Sequence, residues 1–109
     1  FFNGLSKPVI ITEFNSSTFD HGLGYVGFVH ADSQADRARL YGEYVRSAAA
    51  MPNVVGVQWY KYVDQPVTGA SDGQNSNDGL VDITDTPYRE LTDEMREVNA
   101  SIYELHAGR

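Results

Sequence analysis

At 109 residues, with a formal net charge of −7 and no cysteine, the chain has room for one small domain at most and carries no disulfide or thiolate chemistry. Its 41% hydrophobic and 12% aromatic content are those of a chain that packs a core, and no apolar run approaches the ~18 residues that span a bilayer. Residues 1–55 hold five acids and four bases and residues 56–109 ten acids and four bases, which leaves no basic face for a nucleic-acid backbone and casts the acid excess as solvated surface.

The first predicted element is a strand over residues 8–13. Val9, Ile10 and Ile11 form the short continuous apolar run of a parallel strand covered on both faces. Upstream of it the residues lack the basic and apolar regions of a secretory leader, and Phe1-Phe2 need a surface to pack on. The strand ends in a lone carboxylate, Glu13, which is costly to desolvate unless its charge is used. A loop follows from about Asn15 to Asp32, with Gly22, Gly24 and Gly27 spaced unlike a phosphate-cradling motif. Ser33 can then cap a helix over residues 33–51, with Asp36 at its third position. Ala38, Tyr41, Val45 and Ala48 recur on one helix face, and Met51-Pro52 ends the element.

A second apolar strand spans residues 54–60 and closes on Trp59 and Tyr60. The loop after it, about Asp64 to Thr86, is rich in Gly, Asp and Asn. Its segment Asp72–Gly79 looks like a calcium loop only in part, because the bidentate Glu at the twelfth position is missing, and it reads as a solvated turn. A last helix opens near Pro87 and carries the stripe Leu91, Met95, Val98, Ile102, Leu105. His21, His30 and His106 are too scattered to form a ligand set.

The order is βαβα, two units of a parallel α/β sheet with long loops after the strand C-termini, where α/β barrels keep their active sites. Two such strands cannot close a barrel and leave edges unpaired, so residues 1–109 are expected to form part of a larger domain and to be capable of self-association through those edges. Glu13 can serve as nucleophile or general base, or as a salt-bridge or loop-capping residue. Trp59 can offer an indole face to the C–H side of a pyranose, or pack in the core. An acid on one strand tip and aromatics on the next are a suitable pair for a sugar site.

Taken together, the runs KPVIITEFNSSTFDHG, ADSQADRARLYGEYVRSAAAMPNVVGVQWYKYVDQPVTG and SDGQNSNDGLVDITDTPYREL resemble the C-terminal part of the catalytic barrel of glycoside hydrolase family 50, the β-agarases. The likeness covers about residues 7–100. It implies the last two units, strands 7 and 8, of a (β/α)8 TIM barrel that hydrolyses a galactan such as agarose with retention. On that pattern Glu13 matches the nucleophile and Trp59 the eighth-strand aromatic, with Tyr60, Asn15, Asp64 and Gln65 completing the substrate-binding set. Asn15 and Gln74 stand where the family more usually has His and Glu. The family's acid/base, a Glu after an Asn on the fourth strand, has no counterpart here, so the chain alone is expected to be inactive. The resemblance implies a polysaccharide or oligosaccharide partner, no cofactor or metal, and an extracellular or periplasmic setting. The alternative is a non-catalytic carbohydrate-binding or assembly module.

Overall fold

A computed structural model describes residues 4–108, so the packing of Phe1-Phe2 lies outside the described residues. The element order is β1 (Val9–Phe14), α1 (Gln34–Ala49), β2 (Val54–Trp59), α2 (Arg89–Ala100) and α3 (Ile102–His106). The two strands are parallel neighbours, as their continuous apolar runs require, with Val9 opposite Val54, Ile10 opposite Gly56, Ile11 opposite Val57 and Phe14 opposite Trp59. Two irregularities in the register lie between these partners.

Helix α1 starts where the sequence places it. The Ser33 side chain accepts the Asp36 amide at 3.1 Å, and the Asp36 carboxylate in turn accepts the Asp32 amide at 3.1 Å. Ala38, Tyr41, Val45 and Ala48 are buried as the stripe predicts, with Gln34 and Arg37 extending the buried face toward the helix start. The core joins Phe14, Tyr41, Val45, Tyr88, Leu91 and Val98, against which Val57, Trp59, Met95 and Ile102 pack.

Two boundaries depart from the sequence reading. The last helix opens two residues after Pro87, at Arg89, because Tyr88 stays extended to donate its amide to the Leu80 carbonyl while Pro87 pairs with Val81. The single stripe from Leu91 to Leu105 is carried by two helices. Ser101 leaves helical geometry, and its hydroxyl donates to the Val98 carbonyl at 3.1 Å, competing with the helical amide for that acceptor. Helices therefore cover one face of the sheet. On the other face Ile10 lies against Gly56 and is 57% exposed. Among the described residues no further strand or layer covers that face.

Candidate active site

Glu13 is exposed at the C-terminal tip of β1, one residue before the buried Phe14. Because Phe14 is in register with Trp59, the tips of both strands stand at the same end of the sheet. The loops that follow rise from this end; a short bridge between Ser17 and His30 closes the first loop on itself, and one between Tyr25 and Ser76 ties it to the second. Two clefts meet at Glu13. The polar one, about 240 Å³, is walled by Glu13, Asn15, Tyr25, Tyr60, Gln65 and Asp78, among others. The more apolar one, about 410 Å³, runs past Glu13 to Phe28, Tyr44 and Trp59.

The predicted site residues separate on close inspection. Tyr60 faces the polar cleft with Glu13 and is 38% exposed. Trp59 borders the apolar cleft and leans on the core: its ring meets Phe14 edge-on at 5.3 Å and Tyr41 at 5.8 Å, and its Nε1 donates to the Asp78 carbonyl at 2.9 Å. Alternation along β2 is the reason, since Trp59 points to the same side as its partner Phe14 and the next residue does not. Asn15 is buried at the junction of both clefts, its Oδ1 accepting the Phe28 amide at 3.0 Å. Gln65 borders the polar cleft while its Oε1 accepts from both the amide and the hydroxyl of Ser76.

Asp64 does not line either cleft. It is buried, and its carboxylate accepts from the Asn77 amide, the Gly79 backbone and the Tyr88 hydroxyl. A carboxylate filled in this way anchors a loop and has little capacity left for a ligand. Burial first, then the hydrogen bond to Asp64 and the charge of that carboxylate, push the Tyr88 hydroxyl far above its ordinary range.

The segment expected to be a solvated turn is solvated only in its first half. Asp72 and Gly73 are exposed, but Ser76, Asn77 and Asp78 are buried beneath the site. Asp78 Oδ1 accepts the Ser17 hydroxyl at 2.9 Å, and the Ser17 oxygen accepts the Gly27 amide at 2.9 Å. Burial raises the Asp78 carboxyl above its usual value, against hydrogen bonds from Ser17 and Ser76 and the Arg37 charge. Gly79 allows this fold-back, because a Cβ there would stand 2.2 Å from the Val81 carbonyl and 2.4 Å from the Asp64 amide.

Arg37 is the residue that sequence reasoning missed. It is fully buried between the two loops, donating from Nε to the Ser16 carbonyl at 2.9 Å and through its two terminal nitrogens to Gln34 Oε1 and the Gly79 carbonyl, each at 2.8 Å. Burial lowers its pKa to about 10, with Asp64 the leading counterweight. The available signal was its place three residues before Leu40 and four before Tyr41 on the inward face of α1. Among the described residues, no group of three or more His, Cys, Asp or Glu is placed to hold a metal ion, and no helix is long and apolar enough to cross a membrane.

Fold and site together define a parallel α/β unit with an acid-and-aromatic cleft at the strand C-termini, the layout of α/β enzymes. Over 102 residues, 93% of its length, the chain is 47% identical to beta-agarase B of Vibrio sp. (strain JT0107), and over 100 residues, 91% of its length, 46% identical to beta-agarase A of the same organism. A solved exo-beta-agarase superposes on 92% of the chain with a TM-score of 0.88 at 50% identity, this chain covering 14% of that one. Over nearly its whole length the chain is thus homologous to a part of the beta-agarases, with glycoside hydrolase family 50 structures among its neighbours. It spans about a tenth of the length of the two Vibrio relatives, 11% and 10% respectively. No protein-family model matches it.

Proposed function

We propose that this chain contributes the last two β/α units, strands 7 and 8, of a (β/α)8 barrel in a retaining glycoside hydrolase that acts on an agarose-type galactan. Residues 1–109 would then be part of one catalytic domain rather than a domain of their own. The observation that carries this reading is Glu13, an exposed carboxylate at a strand C-terminus where a polar and an apolar cleft meet. That the relatives are beta-agarases supplies the substrate class.

In this mechanism Glu13 attacks the anomeric carbon as the leaving oxygen takes a proton from an acid supplied elsewhere in the enzyme. Water then releases the sugar from the glycosyl-enzyme, with the same outside group acting as base. Tyr60 and the Gln65 side of the polar cleft contact the sugar. Trp59, with Asn15 beside Glu13, shapes the apolar wall.

The test is made in the complete enzyme. Glu13→Gln should abolish turnover and leave substrate binding nearly unchanged, because an amide cannot form the glycosyl-enzyme. Glu13→Gly with azide and an activated substrate should recover turnover and give a glycosyl azide of inverted configuration. Near-normal kcat in the Gln variant would return Glu13 to a structural role.

A further inference from the structure

The two loops that wall the cleft are separated in the chain by α1 and β2, yet one side chain grips both. The Ser16 carbonyl, three residues after Glu13, and the Gly79 carbonyl, one residue after Asp78, are both acceptors of the Arg37 guanidinium, at 2.9 and 2.8 Å. Its remaining direction is fixed by Gln34, whose own amide reaches Asn77 Oδ1 at 2.7 Å and the Thr18 hydroxyl at 3.0 Å, again one contact on each loop. The guanidinium also lies 5.7 Å from the Trp59 ring centre and 5.2 Å from that of Tyr88. A planar fork with several fixed donor directions suits this task, and a lysine ammonium does not. Burying a cation against carbonyls is expensive, and the neighbouring Asp64 and Asp78 offset the cost by charge.

We propose that Arg37 is a positioning residue of this site: it clasps the loop after β1 to the loop after β2, and so fixes the cleft wall holding Asn15 and Asp78 against Glu13. This rests on the reading of Glu13 as the nucleophile. The residue touches no reacting atom; it acts by holding the geometry in which Glu13 and the sugar meet. Displacements of the order of 1 Å at such a site cost about a hundredfold in rate.

The experiment is Arg37→Lys in the complete enzyme, with kcat counted per folded molecule from near-UV circular dichroism, and KM measured alongside. The expected result is a 10- to 100-fold fall in kcat with KM changed less than threefold. A purely structural arginine would lower the yield of folded enzyme and leave kcat per folded molecule alone, so a fall of less than fivefold overturns the proposal. If the Lys variant does not fold, Gln34→Ala decides. It leaves the guanidinium in place and loosens one of its anchors, and it should lower kcat at least threefold; a smaller change overturns the proposal. Glu13→Gln run in parallel separates the two ideas. Full activity there sinks the nucleophile reading, whereas an inactive Glu13→Gln beside an unaffected Arg37→Lys sinks only the clasp.

Discussion

Gly27 shows how closely the cleft is built at the scale of single residues. A Cβ placed on it would lie 2.8 Å from both Asn15 Oδ1 and Asp78 Oδ1 and 3.0 Å from the Ser17 hydroxyl. Each of these atoms already holds a hydrogen bond, so none can withdraw freely. Gly27→Ala must push the cleft floor by about half an ångström, which at an active site is worth about tenfold in kcat/KM. Gly24→Ala is the control, because its Cβ would meet only Asn75 Oδ1 at an ordinary 3.8 Å. Steady-state kinetics of both variants in the complete enzyme check this: loss with Gly27 alone is expected, and equal activity would mean that the floor is compliant. No feature of the sequence singled out Gly27 from Gly22 and Gly24. Its constraint comes from Asn15 and Asp78, twelve residues before it and fifty-one after it, and such contacts are invisible to local reading. The fates of Asp64 and of Ser76–Asp78 were hidden for the same reason, since a polar loop looks solvated until its partners are known.

Helix α1 is the element whose local chemistry is most fully expressed in the sequence. Its cap, its apolar stripe and its end all follow from neighbouring residues, which is why they were legible, whereas the break at Ser101 depends on a single hydroxyl within an unbroken stripe. The first turn also yields a prediction with two arms. Ser33→Ala removes the acceptor for the Asp36 amide and should cost about 1 kcal/mol of local stability, seen as roughly fivefold faster hydrogen exchange in that turn. The Asp36 carboxyl is held below its ordinary 3.8 by the Asp32 amide and then by Arg39. A lowered carboxyl stabilises the folded turn at pH values above 3.8, and the contribution disappears as pH falls below that value. Exchange in the first turn, corrected for its intrinsic rate, should therefore accelerate below about pH 4 in the native protein and lose this acid limb in Asp36→Asn. An unchanged acid limb in that variant would assign it to other carboxylates.

At the scale of the whole molecule, the strand pair and its parallel sense were legible because continuous apolar runs demand cover on both faces. The structure gives them cover on one. Ile10 on the open face and Val55 at the margin of the helix-covered one are each 57% exposed, and an open groove of about 450 Å³ runs from Val55 and Val57 to Ile102 and Tyr103, the last of these 86% exposed. Each large aliphatic side chain left in water forgoes about 1.5–3 kcal/mol of burial, and the strand edges add unpaired backbone groups. A chain in this state relieves the cost by finding a surface, and in isolation the surface at hand is another copy of itself. The 109-residue chain expressed alone should therefore bind an apolar dye such as ANS and sediment as concentration-dependent oligomers. Ile10→Lys with Val55→Lys should reduce both effects by placing charge on the bare surface. A monodisperse monomer that ignores the dye would mean that the exposed strands are tolerated as they stand, and would remove the physical argument for reading the chain as two units of a larger barrel.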